Sequence, residues 1–246
     1  VNKFVEDSLG NKIFYEKLLL AIGTQARSLP ESENLKFKNI FYFHTLSDLE
    51  KIKNFLAQDQ ENNKQAIVFG AGVTGLECSD ALNKLGVRVN IIEARDQILY
   101  GMAPEIGSDK VQDLLKKSGI SIATGASLDL NNCLPENFNL ETDMVVFAIG
   151  TEPNTKWLSN SGLNFKNGAI VVNESFQTNL EYIYAAGDCC AVKDIQTDEL
   201  TKSTMWPDAV IQGMMAASAI CGKKVVYPGI FKFLTTKIED TKISSC

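Results

Sequence analysis

The chain has 246 residues, 45% of them hydrophobic and 22% charged, which is the balance of an ordinary globular protein with one large or two modest domains. A formal net charge of −6 and a pI near 5.0 argue against a nucleic-acid or anionic-membrane surface. The longest apolar run, Met144 to Ile149, has strand length and falls far short of the ~20 residues of a membrane span.

The six cysteines form no Cys-x-x-Cys, and one histidine, His44, cannot complete a zinc cluster, so no metal site is expected. Sparse, unpatterned thiols fit a reducing compartment and point to the cytoplasm. No basic and apolar leader is visible at Val1, but a start without Met suggests an incomplete N-terminus. Cys78 reads as packing. Exchange chemistry at the adjacent Cys189 and Cys190 would need a lowered pKa, which a sequence does not display.

In chain order, residues 1–14 predict two short strands around the turn Asp7-Ser8-Leu9-Gly10-Asn11. Phe14 to Thr24 predicts an apolar strand ending at Gly23, and its Leu-rich run predicts burial on both faces. Pro30 and Glu31 to Asn34 read as a surface loop. Residues 39–46 read as an edge or connecting strand with His44 partly buried. A helix follows, apolar at Leu49, Ile52, Phe55 and Leu56, with Thr45 or Ser47 as its cap.

Residues 65–93 carry the most informative pattern. An apolar run, Ala66 to Phe69, leads into Gly70, Gly72 and Gly75; a helix follows, then a second apolar run ending at Glu93. Strand, glycine turn, helix, strand and terminal acid come in the order that a dinucleotide site needs, with the acid ~20 residues on. Gly70 permits the tight turn, Gly72 lets the backbone approach a pyrophosphate, and Gly75 lets the helix pack close. Ala71, Val73 and Thr74 complete the turn and the helix start, whose free N–H groups and partial positive charge suit phosphate. Glu93 is placed to accept hydrogen bonds from an adenosine ribose. Its charge would clash with a 2′-phosphate, so NAD is favoured over NADP, although Arg95 stands close by.

Beyond Glu93 the pattern predicts a helix over Pro104–Ser118 stopped by Gly119, then strands at Ile120–Ala123 and Met144–Ile149 with a short hairpin between them. Leu20-Ala21-Ile22-Gly23-Thr24 and Phe147-Ala148-Ile149-Gly150-Thr151 are near copies, so the nucleotide module is bordered by two crossings built alike. Strands are expected at Ala169–Val172 and Tyr182–Ala186, the latter running into Gly187 and Asp188. Pro207 opens a helix that runs to about Cys221 and is stopped by Gly222. Phe231 to Ile238 begins another strand region.

Taken together, these motifs resemble the pyridine nucleotide-disulphide oxidoreductase family, and within it the rubredoxin reductase, NADH oxidase and nitrite reductase branch. Tyr15–Gly23 resembles the strand leaving the FAD domain, Gly70–Gly75 with Glu77 the NAD fingerprint, and Asp143–Gly150 with Pro153-Asn154 the return crossing. Tyr184–Asp188 resembles the second FAD motif. The resemblance implies an α/β, glutathione-reductase-like fold: a Rossmann-like NAD domain inserted in a partial FAD domain. It divides the chain into FAD-domain segments at 1–44 and 150–227, an NAD-binding domain at 45–149, and the start of a truncated C-terminal interface domain at 228–246. It implies FAD contacts at Ala21, Gly23, Arg27, Gly150, Gly187 and Asp188, with Asp188 on the ribityl chain, and it places Glu77 near the nicotinamide. Ala26 departs from the proline usual before that arginine. It also implies a helix N-terminus, that of the Pro207 helix, facing the flavin pyrimidine ring.

The family's first FAD fingerprint, any redox cysteine pair and the lysine near flavin N5 are expected upstream of Val1, so the chain is expected to be a fragment. The implied function is an FAD-dependent NADH oxidoreductase that passes hydride to flavin and on to an acceptor: a small redox protein, an oxygen species or a disulfide. No catalytic acid or base is assigned, because the cofactors carry the chemistry. An NADH-dependent disulfide or persulfide reductase, and a nucleotide-binding fragment without turnover, are the alternatives. Oligomeric state is left open.

Overall fold

The structure, a computed structural model, describes residues 3–28, 37, 39–58, 64–126, 142–231 and 233–245. The chain forms two compact units, one of Val1–Gln25 and Glu152–Lys232, the other of Ala26–Thr151 and Phe233–Cys246. The expected Pro30 loop, the expected hairpin at 127–141 and Cys133 lie outside the described residues.

Along the chain the first elements are β1 (Phe4–Glu6), β2 (Lys12–Phe14), β3 (Leu18–Leu20), β4 (Thr24–Ala26), β5 (Ile40–Tyr42) and helix α1 (Leu46–Ala57). Then come β6 (Gln65–Phe69), α2 (Val73–Lys84), β7 (Arg88–Ile92), α3 (Glu105–Lys117), β8 (Ser121–Ala123), β9 (Met144–Phe147) and β10 (Thr151–Pro153). The rest are β11 (Phe165–Lys166), β12 (Ala169–Val171), β13 (Ile183–Ala185), β14 (Cys190–Lys193), β15 (Leu200–Lys202), α4 (Trp206–Ile220), β16 (Leu234–Ile238) and β17 (Thr241–Ser245).

The second unit is built on a parallel sheet of order β5-β9-β6-β7-β8. This is the expected Rossmann-like arrangement: each crossover between parallel neighbours carries the chain over the sheet. β6 and β9 alternate between two buried faces, as central parallel strands must. Ala66, Val68 and Val146 join a core with Ile52 of α1, Leu76 and Leu82 of α2, and Val111 and Leu115 of α3. Ile67, Phe69, Val145 and Phe147 join the opposite core, where the Phe69 and Phe147 rings stack at 5.1 Å. Thr45 caps α1 through a capping box with Asp48, resolving the choice left open between Thr45 and Ser47.

The hairpin β16–β17 belongs to this same unit. Its inward residues Ile238 and Ile243 pack into the helical core, and strand alternation leaves Thr235 and Lys237 exposed. The resemblance gave no account of this contact.

The first unit holds β3 and β13 in parallel register, Leu18 to Ile183 through Leu20 to Ala185. Its second sheet has the order β11-β12-β14-β15. A core of Leu20, Ile170, Phe176, Ala185, Cys189, Cys190 and Val192 joins the two, and Ala216 of α4 closes it. The Lys17 ammonium donates to the Ile220 carbonyl at the negative end of α4.

Two expectations need correction. The Leu-rich strand is only three residues long, and Leu18 and Leu19 are half-buried, because β3 has a single neighbour among the described strands. His44 is exposed: β5 ends at Tyr42, and His44 falls in the bend that sets up the Thr45 cap.

Candidate functional site

In the second unit the glycines have distinct, checkable roles. Gly70 has φ +101°, a left-handed backbone, and a Cβ there would stand 2.4 Å from the Ala148 carbonyl oxygen. Its N–H donates to the Ile92 carbonyl at 2.8 Å, tying the turn to β7. A Cβ on Gly75 would stand 1.9 Å from the Gly70 carbonyl oxygen, so the first turn of α2 lies directly on the glycine turn. Gly72 differs from both: a Cβ there would meet nothing within 4 Å. It is the N-cap of α2, with φ −75° and no side chain capping the helix. No side chain caps the first turn of α2, at Val73, Thr74 and Gly75, and the space beside Gly72 is open, an arrangement in which a helix N-terminus can receive an anion.

Glu93 follows β7 and is half-buried. Its Oε2 accepts from the Ala71 N–H at 2.7 Å and its Oε1 from the Arg95 N–H at 2.9 Å. The acid thus holds the glycine turn. A carboxylate has about four lone-pair sites, so acceptor capacity remains for a ribose hydroxyl. Arg95 rests its guanidinium 5.0 Å from the centre of the Tyr100 ring.

Sequence reasoning missed Leu99. It is buried at φ +52°, unusual for a branched side chain, and its N–H donates to the Ala71 carbonyl at 2.9 Å. The loop after Glu93 is thereby folded back on the glycine turn. The only sequence signal was Gly101 two residues later. Glu77 lies on an exposed face of α2, and its Oε1 accepts from the Thr236 hydroxyl at 2.5 Å. Gly150 has φ +93° and its carbonyl accepts from the exposed Arg27 N–H at 3.0 Å.

In the first unit, β13 delivers Gly187 and Asp188 to a turn. Gly187 has φ +82°, and its N–H donates to Gln212 Oε1 at 2.9 Å. Gln212 is fully buried in α4, a single amide in the apolar run Ala209-Val-Ile-Gln-Gly-Met-Met, and that isolated polar residue was the signal overlooked. Asp188 is half-buried beside it. Gly23 has φ +61° with open space at its Cβ position, its carbonyl accepts from the Asn154 N–H at 3.1 Å, and Ala21 is exposed. Pro207 lies in the first turn of α4, whose N-terminus carries no side-chain cap. A left-handed glycine, a neighbouring acid and, beyond β14 and β15, an uncapped helix start are groups that suit the hydroxyls and phosphates of a flavin dinucleotide. The residues present fit the group.

Cys189 is sealed in this unit, its Sγ 3.4 Å from the carbonyls of Leu20 and Ala186 and 4.0 Å from Cys190 Sγ. The Cys190 thiol first, then the N–H groups of Ile22 and Gly23, draw Cys189 down to about 7, while Cys190 is pushed up by its bond to Cys189 and by burial. Neither sulfur is reachable from solvent, so the pair does not carry exchange as the structure stands.

Comparison with known proteins agrees with this architecture. The family profile described as pyridine nucleotide-disulphide oxidoreductase matches residues 2–216. An NADH oxidase of Methanocaldococcus jannaschii is 30% identical over 236 residues, covering 93% of this chain and 52% of that protein. A rubredoxin-NAD(+) reductase of Pseudomonas putida is 27% identical over 235 residues, covering 92% of this chain and 60% of the relative. Among solved structures, an NAD-dependent persulfide reductase from A. fulgidus superposes with a TM-score of 0.84 at 24% identity, over 96% of this chain and 45% of that one. The chain thus spans roughly half the length of the relatives it matches.

Proposed function

The chain belongs to the pyridine nucleotide-disulphide oxidoreductase family, and we propose that it works as part of an FAD-dependent NADH oxidoreductase. The observation that carries the reading is the open, uncapped start of α2 at Gly72 with the Glu93 carboxylate fixed beside it. In this reading residues 45–149 bind NADH, 1–44 and 150–227 hold FAD in part, and 228–246 begin a further domain whose first hairpin packs on the NADH-binding unit.

The residues act as follows. The amides at Val73, Thr74 and Gly75 hold the pyrophosphate, and Gly72 leaves room for it beside Ala71. Glu93 accepts from the adenosine ribose and repels a 2′-phosphate, which favours NADH over NADPH. Glu77 faces the nicotinamide end. Asp188 accepts from ribityl hydroxyls, and Gly187, Ala21, Gly23, Arg27 and Gly150 give backbone or side-chain contacts to the flavin nucleotide. The N-terminus of α4 stabilises negative charge at the pyrimidine ring by preorganised dipoles. When bound, flavin supplies the hydride acceptor and the relay to the next electron acceptor.

A small redox protein is our first choice of acceptor, since one relative is a rubredoxin reductase; oxygen is the second, since another is an NADH oxidase. Burial of Cys189 and Cys190 makes that pair a poor route to a disulfide or persulfide. We place the protein in the cytoplasm on its sparse, unpatterned cysteines. No described helix is long and apolar enough to cross a membrane. The test is cofactor content and choice: the full-length protein should carry FAD and bind NADH at least tenfold more tightly than NADPH, and Glu93→Gln should narrow that ratio. A protein without flavin, or one that prefers NADPH, overturns the reading.

A further inference from the structure

The hairpin β16–β17 meets α2 along a polar line. Thr236 donates to Glu77 in the second turn of the helix at 2.5 Å. Three residues on, the Glu239 N–H approaches Asp80 Oδ2 at 3.4 Å, and the same oxygen accepts from the Lys84 ammonium at 2.9 Å. Glu77, Asp80 and Lys84 are spaced i, i+3 and i+7, so they form one stripe of α2, and the hairpin lies along it. Beside this stripe Ile238 is fully buried in the helical core.

Thr236 is the informative residue. It is 4% exposed, paired across the hairpin with Ile243 and two residues from Ile238 on the same face. Packing alone at such a place is served by valine, which has the same shape and no hydroxyl to desolvate. Burying a hydroxyl is costly unless it is bonded. Here it is bonded to a carboxylate, the stronger kind of hydrogen bond. Glu77 in turn is an exposed side chain that would otherwise move among rotamers; the bond selects one.

The sheet side of α2 is fixed by Gly75 lying against the Gly70 carbonyl. The hairpin fixes the opposite side one turn away from the uncapped amides. Hydrogen bonds weaken steeply as distance and angle drift, so donors that must converge on one phosphate need a helix held from both sides. We propose that β16–β17 is a working part of the dinucleotide site, with Thr236 as a positioning residue that seats α2 through Glu77, so that hairpin docking and dinucleotide binding are coupled. The proposal rests on the reading of α2 as a dinucleotide-binding helix. Coupling of this kind is reciprocal: what the hairpin gives to binding, binding returns to the hairpin.

The test uses the full-length protein with Thr236→Val and Thr236→Ser. Thr236→Val should raise the NADH dissociation constant about tenfold, the scale of one charge-assisted hydrogen bond, with little change in melting temperature. Thr236→Ser, which keeps the hydroxyl, should restore the affinity. In the unaltered protein, NADH should slow amide exchange across 234–245. Equal NADH affinity in the valine variant, or hairpin exchange that ignores NADH, overturns the coupling alone. An unaltered protein that does not bind NADH overturns the coupling and the proposed function together. Should the valine variant not fold, the exchange measurement decides.

Discussion

Two glycines of one turn should respond to the same substitution in opposite ways. Gly75→Ala places a methyl 1.9 Å from a backbone oxygen, which nothing nearby can yield to, so it should destabilise the protein by at least about 3 kcal/mol in denaturant unfolding. Gly72→Ala meets empty space at an ordinary φ and should alter stability by less than about 1 kcal/mol, yet weaken NADH binding, because the methyl would fill the approach proposed for the phosphate. The cysteines give a second residue-scale outcome. Burial pushes Cys78 up to about 12 and seals Cys189 and Cys190, while Cys221 is exposed. A thiol alkylant applied to the native protein should label Cys221 and spare those three, as peptide mapping will show; rapid labelling of Cys189 would contradict the sealed site. The roles of Gly70 and Gly75 were legible because glycine spacing encodes backbone approach directly. Leu99 was not, since a leucine in a left-handed conformation has no compositional mark and is held there by a contact 28 residues back, at Ala71.

Among the elements, α1 and α4 show how single polar side chains fix an end or a loop. Around Asp48, burial works against the charge, but the Thr45 N–H and hydroxyl, aided by Lys51, outweigh it and hold the carboxyl below its usual value. A lowered folded pKa means stability that is present above the unfolded value and lost as pH falls through the folded one. Thr45→Ala should therefore cost about 1 kcal/mol at neutral pH, and the penalty should shrink in acid as Asp48 protonates. A penalty that grows in acid would show the box to be unimportant. In α4, Gln212→Leu removes the acceptor of the Gly187 N–H and should cost about 1–3 kcal/mol, with a matching fall in retained flavin. Helix limits came close from sequence: α4 and α3 fall within one or two residues of expectation, because proline at the start and glycine at the end are local signals. The short strands were harder. β3 was read as far longer than it is, because a run of leucines does not say where its partner β13 stops.

At the scale of the whole molecule, the two Ala-Ile-Gly-Thr borders proved to be structural counterparts: each leads from a strand, β3 or β9, to a left-handed glycine, and the strands that follow, β4 and β10, pair with each other. That symmetry was visible in the letters alone, since repeated local needs select repeated residues. The docking of the C-terminal hairpin was not, because the contact between Thr236 and Glu77 spans 159 residues and no periodicity records it. The central claim is that this chain brings NADH to a flavin. Rapid mixing of NADH with the full-length protein, free of oxygen, tests it most directly. The account predicts bleaching of the flavin absorbance at a rate that saturates with NADH, and a Gly72→Ala variant that needs more NADH to reach the same limiting rate. A flavin that NADH leaves oxidised would contradict it.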